Sequence, residues 1–138
     1  MEKRKVRVLI ADDESHIRSL ISLIVTSLGA ETVAEAADGE QALSLYKQHQ
    51  PDMVLLDINM PKMDGISVLK KIMAINNRTL VVMLTSLNAL ETVKDCIDSG
   101  AYNYILKNAT AEELSKAISE TWGEYMAEIK AVNKVAQS

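Results

Sequence analysis

Three aspartates in this chain stand where strand-like apolar runs end. Asp12 and Asp13 follow Val6, Val8, Leu9 and Ile10, and Asp57 follows Met53, Val54, Leu55 and Leu56. Continuous apolar runs mark buried parallel strands, and the carboxyl ends of such strands are where open α/β sheets bind ligands, so the acids are expected to converge. Left bare, the cluster opposes itself: two carboxylates ~4 Å apart repel by about 4 kcal/mol at an effective dielectric of about 20. The arrangement asks for a proton, a lysine or a divalent cation. Magnesium takes one or two carboxylates together with water and phosphate oxygens, a role that suits Asp13 and Asp57. Thr85 and Lys107 end two further apolar runs, Leu80–Leu84 and Tyr102–Leu106. An ammonium balances the same charge and a hydroxyl donates to a phosphoryl oxygen, so the five residues fit an aspartyl-phosphate site. Taken singly each has a plainer reading: Asp13 as a helix-start acid, Asp57 as a turn cap, Thr85 as a strand end, Lys107 as a solvated charge. Only the constellation lifts them above it.

The elements that must position these residues follow from periodicity. Ile17, Leu20, Ile21, Ile24, Val25 and Leu28 recur at helical spacing before Gly29, and Thr32–Ala37 forms a short second strand. Asp38-Gly39 turns into a helix carrying Ala42, Leu45 and Tyr46, which Pro51 closes. After the third strand a Pro- and Gly-marked loop, Asn59–Gly65, leads into a helix built on Ile66, Leu69 and Ile72. Leu90, Val93 and Ile97 lie on a fourth helix that ends at Ser99-Gly100. Thr110 and Glu113 form a capping-box pattern that opens the last helix. Strands alternating with helices predict a parallel sheet covered on both faces.

With 138 residues, 48% of them hydrophobic, the chain suits one well-buried domain and an extension. The net charge of −4 argues against a nucleic-acid partner or an anionic membrane surface. One cysteine, Cys96, allows no intrachain disulfide, and no apolar run reaches the roughly 20 residues of a membrane span, so a soluble cytoplasmic protein is expected.

Asp12-Asp13 after the first strand, Asp57 opening DINMPKMDG, Thr85 after the fourth and Lys107 after the fifth resemble the response-regulator receiver domain over roughly residues 5–121. The resemblance implies a flavodoxin-like, doubly wound (βα)5 fold with strand order 2-1-3-4-5. It further implies that Asp57 takes a phosphoryl group from a histidine kinase or phosphotransfer protein. Asp13, Asp57 and the Asn59 backbone carbonyl would bind Mg2+, with Asp12 acting mostly through water. Lys107 would contact the phosphoryl oxygens, and the Thr85 hydroxyl would move to meet them while the Tyr104 ring turns inward. The face formed by helix four, strand five and helix five would then change shape toward a downstream protein target or output domain. Such a protein is a signalling switch and makes no metabolite.

The family usually follows its site lysine with a cis proline, whereas Asn108 follows Lys107 here. A non-proline cis bond costs about 2.5–4 kcal/mol, so the aim of Lys107 is the open point, although phosphorylation is expected to survive the change. Asn59 and Leu87 occupy places resembling the family's tuners of phosphoryl lifetime; Leu87 cannot orient a water, which predicts slow hydrolysis. Leu114, Ile118, Trp122, Tyr125, Ile129, Val132 and Ala136 form a heptad seam that outruns the receiver. This predicts a receiver over 1–121 and a helical extension over 122–138 that pairs two chains or links to an output domain absent from this sequence. Two rival classes are weaker. A dehalogenase-type phosphatase wants an acid two positions after its nucleophile, where this chain has Asn59, and a nucleotide- or flavin-binding module wants an anion cradle where this chain has acids.

Overall fold

A computed structural model of the chain describes residues 5–86 and 90–137. Strands and helices alternate throughout: β1 (Arg7–Ala11), α1 (Ser15–Ser27), β2 (Glu31–Ala36), α2 (Gly39–His49), β3 (Met53–Asp57), α3 (Gly65–Ile75), β4 (Leu80–Thr85), α4 (Leu90–Asp98), β5 (Asn103–Leu106) and α5 (Ala111–Gln137). All strand pairs are parallel and the order is β2-β1-β3-β4-β5, the flavodoxin-like arrangement.

Between their ends the central strands are apolar because each face has its own core, and successive side chains alternate between the two. On one side Leu9, Val54, Leu56, Val81 and Met83 pack with Tyr46, Val68, Leu69, Ile72 and Cys96 of α2, α3 and α4. On the other, Val8, Ile10, Leu55, Val82 and Leu84 meet Ile21, Ile24 and Val25 of α1 and Leu114 and Ile118 of α5. In α4, Ile97 lies outward at 45% exposure, and Cys96 enters the core. A helix with few apolar residues defines its inward direction weakly, and a rotation of one position moves a residue from core to rim.

Helix starts are fixed by side chains. The Asp38 carboxylate accepts from the Gln41 amide at 2.8 Å and the Asp64 carboxylate from the Ser67 amide at 2.9 Å. The capping box forms as expected: the Thr110 hydroxyl accepts from the Glu113 amide at 3.1 Å, and the Glu113 carboxylate accepts from the Thr110 hydroxyl at 3.0 Å. The amide bond from Ser67 holds the Asp64 carboxyl below its ordinary value. Removing it with Asp64→Ala is expected to cost about 1 kcal/mol at neutral pH, read by urea unfolding. Because the folded pKa is depressed below 3.8, this contribution is present above that value. The gap between the two proteins should therefore narrow as pH falls through the folded pKa.

Two glycines bring the loop after β3 against its neighbours. A Cβ on Gly65 would lie 2.1 Å from the Asp57 carbonyl oxygen, and one on Gly39 would lie 1.9 Å from that of Met63. No L side chain fits at either place, so the loop 58–64 is pressed between the starts of α2 and α3.

The last helix runs unbroken through Gly123 for 27 residues. Its middle part stays on the domain: Trp122 and Tyr125 pack against the α1-side core, and the Tyr125 hydroxyl donates to the Arg78 carbonyl. The Tyr102 hydroxyl donates to the Glu128 carboxylate at 2.9 Å, and the Tyr102 and Tyr125 rings meet edge to face. Farther out, Val132 is 64% exposed. The side chain of Ala136, the last residue of the heptad seam, lies outside the described residues.

Candidate functional site

Parallel register brings the acids together. Ala11 pairs with Leu56, Asp57 with Leu84, and Thr85 with Leu106, so the carboxyl ends of β1, β3, β4 and β5 form one edge. Asp12 and Asp57 are buried, at 0% and 3% exposure, while Asp13 is exposed at the mouth. One carboxylate oxygen from each lies within 4.8 Å of the others. Asp13 does not take the helix-start role, since the first turn of α1 carries no acid and its N-cap is Glu14.

The Lys107 ammonium sits among these acids, 2.6 Å from Asp12 Oδ2 and 3.0 Å from Asp57 Oδ2. The Lys107–Asn108 peptide is trans, with no cis bond among the described residues, and the lysine reaches both carboxylates without the family's cis proline. Its backbone amide donates to the Thr85 carbonyl at 2.9 Å, which extends the β4–β5 ladder and fixes where the side chain begins. Thr85 itself is buried at 1% exposure as the last residue of β4. Tyr104, opposite Met83 in β5, is half-buried against the core on the α2–α4 side. Asn59 is exposed, and its amide donates to Asp57 Oδ1 at 3.3 Å. Leu87 lies outside the described residues.

Burial pushes the Asp57 carboxyl above its ordinary value; the Lys107 hydrogen bond pulls the other way and the Asp12 charge adds to the rise. For Lys107, burial alone lowers the ammonium's pKa, but the hydrogen bonds to Asp12 and Asp57 outweigh it and leave it raised. Two buried carboxylates thus share one cation. The donor set fits a hard divalent ion: three carboxylates converge, one of them open to solvent, and among the described residues Asp12 Oδ2 has no partner besides the ammonium.

Sequence reasoning passed over Glu14, whose carboxylate lies 3.7 Å from the Lys107 ammonium and whose amide donates to Asp12 Oδ1 at 2.9 Å. The signal was present as a third consecutive acid. Gly65 was read only as the end of a loop; its necessity is a contact through space, 2.1 Å from the Asp57 carbonyl, that spacing does not reveal.

The family model of the response regulator receiver domain matches residues 8–119. The chain belongs to this family. As a receiver domain it is 41% identical over 115 residues to the chemotaxis protein CheY of Bacillus subtilis (strain 168), covering 83% of this chain and 96% of that protein. Among solved structures it is similar to the CheY of a CheX-CheY-BeF3-Mg2+ complex from Borrelia burgdorferi, with TM-score 0.81, 37% identity, and coverage of 85% of this chain and 89% of that one. It is also similar to NtrX from Brucella abortus, with TM-score 0.85 and 28% identity, covering 94% of this chain but 29% of that chain. The receiver fold thus occurs both as nearly the whole of a protein and as a part of a longer one. No helix among the described residues is long and apolar enough to cross a membrane.

Proposed function

We propose that the chain is a phosphoacceptor switch of a two-component system, in which Asp57 receives a phosphoryl group from a histidine kinase or phosphotransfer protein. The observation that carries this reading is the convergence of Asp12, Asp13 and Asp57 around the Lys107 ammonium at one sheet edge. Asp13 and Asp57, with the Asn59 carbonyl and Asp12 through water, would hold Mg2+. That ion supplies charge neutralisation for the acids and for an incoming phosphate.

The chain's own residues do the remaining work. An Asp57 carboxylate oxygen attacks: a bond forms from it to phosphorus as the bond to the donor's leaving atom breaks, the leaving group departing with that electron pair. Lys107, already 3.0 Å from Asp57 Oδ2, is placed to follow the phosphoryl charge, which makes its role positioning and electrostatic. The Thr85 hydroxyl then moves toward the new oxygens and the half-buried Tyr104 ring turns inward, which alters the α4-β5-α5 face for a downstream protein target. A few kcal/mol of preference for the active state suffices to shift populations by orders of magnitude. That the Borrelia relative forms a complex with CheX, BeF3 and Mg2+ supports a magnesium-loaded state. The middle of α5 is held by its own domain, so pairing of two copies through this helix would rest on its outer turns, from Ile129 onward.

Intact-mass analysis of the whole chain after incubation with a small phosphodonor tests the proposal. With magnesium, a gain of one phosphoryl group is expected, and mapping after reductive trapping should place it on Asp57. No gain, or a gain indifferent to chelation of the metal, overturns it.

A further inference from the structure

Arg18 does not belong to the acid cluster, yet it is tied to the backbone that carries it. From the first turns of α1 its guanidinium donates to the Asp12 carbonyl at 2.7 Å, while its Nε lies 3.5 Å from a Glu35 carboxylate oxygen on β2. The Arg18 side chain is 19% exposed and that of Glu35 42%, so the carbonyl contact is partly buried while the ion pair stays open to water. The carbonyl it holds belongs to the Asp12–Asp13 peptide, and a peptide is a rigid plane. With the following peptide held by the bond from the Glu14 amide to Asp12 Oδ1, fixing that plane sets the direction in which the Asp13 side chain leaves the backbone.

Asp12 supplies the other anchors of this turn, one of which also holds the Asp13–Glu14 peptide. Its amide continues the ladder to Ala36, its Oδ1 accepts from the Glu14 amide, and its Oδ2 meets Lys107. Asp13 is exposed and, among the described residues, no contact of its carboxylate is part of this network, so its aim depends on the two peptide planes that flank it. The Arg18 fork, anchored on the neighbouring strand by Glu35, has the planar geometry to bridge two acceptors at once, which a lysine cannot copy.

We infer that Arg18 is a positioning residue for the magnesium site, holding the Asp12–Asp13 peptide so that Asp13 presents its carboxylate beside Asp57. The inference rests on the proposed Mg2+ site and deepens it. Partners that orient metal ligands from outside the ligand set commonly govern affinity by 10- to 100-fold.

Calorimetric titration of the full chain with Mg2+ alone, without phosphodonor, tests this. Arg18→Met keeps the stem and removes the donors. Its Mg2+ dissociation constant is expected to rise about 10-fold, with circular dichroism unchanged. The sign separates positioning from charge, because deleting a cation near three carboxylates would by electrostatics alone tighten cation binding. A constant within twofold of the natural chain, or tighter binding, overturns the inference. Should Arg18→Met fail to fold, Arg18→Lys, which keeps the charge and loses the bridge to Glu35, is read by the same outcomes. If the natural chain itself takes up no Mg2+, the site reading fails first, and the two failures are told apart in one series.

Discussion

Asp57→Asn is expected to abolish the phosphoryl mass gain and, in metal-free buffer, to raise the midpoint of thermal unfolding by about 3 °C, corresponding to roughly 1 kcal/mol. The two effects have one cause. Asp57 is 3% exposed and shares a single ammonium with a second buried carboxylate, and burial pushes its pKa upward in spite of Lys107. A raised folded pKa means that the charged form is less welcome in the fold than in water. The cost is present above the folded pKa and relieved below the unfolded value of 3.8. Asparagine mimics the neutral form and can still accept from the Asn59 amide at Oδ1. The difference between the proteins should therefore vanish when unfolding is measured below the unfolded value. Chelator-treated samples followed by circular dichroism provide the check. A metal-free Asp57→Asn protein less stable than the natural chain at neutral pH would show that the acid cluster is not under electrostatic tension.

Lys107→Met should act in the opposite direction. The ammonium is the cation shared by Asp12 and Asp57, both buried, and its own side chain is 11% exposed. Removing one partner of a buried ion pair leaves uncompensated charge and typically costs about 3–5 kcal/mol. The lower end, about 3 kcal/mol, is expected here because Asp13 opens the site to water. Saturating magnesium, which stabilises any binding fold by about 2.7 kcal/mol at a hundredfold excess over its Kd, should recover more stability in the variant than in the natural chain, since the ion then does the neutralising alone. Urea unfolding with and without Mg2+ measures both increments. A loss below about 1 kcal/mol without metal, or an equal magnesium increment in both proteins, would remove Lys107 from the centre of this charge balance.

Much of this arrangement was readable in the amino-acid order because it depends on local signals. Runs such as MVLLD and LVVMLT identify buried strands, and the terminal Asp57 and Thr85 mark the edge at which those strands end. The Thr110-Glu113 box formed as spaced. The order of the strands was legible only through family resemblance, since alternation fixes that a sheet is parallel without saying which strand lies in the middle. What stayed hidden depends on distance through space. Ile97 and Cys96 are adjacent, and only the docking direction of α4 decides that Cys96 goes in. Asn108 suggested a misplaced lysine, but the ladder bond from the Lys107 amide to Thr85 and a long side chain bring the ammonium to both acids across a trans peptide. Arg18 and Glu35 meet across two elements, beyond the reach of any spacing rule.

The half-buried Trp122, packed with Tyr125 where α5 crosses the far end of the sheet, is the chain's single tryptophan. It lies beside Val6, Val8 and Met53, at the amino-terminal ends of β1 and β3, so the length of a strand, roughly 17 Å, separates it from the acids. A metal ion bound among those acids cannot quench indole emission by contact. The fluorescence of this protein therefore reports selectively on the seat of α5. A change in emission upon phosphorylation would be an optical record that rearrangement had travelled the full height of the sheet.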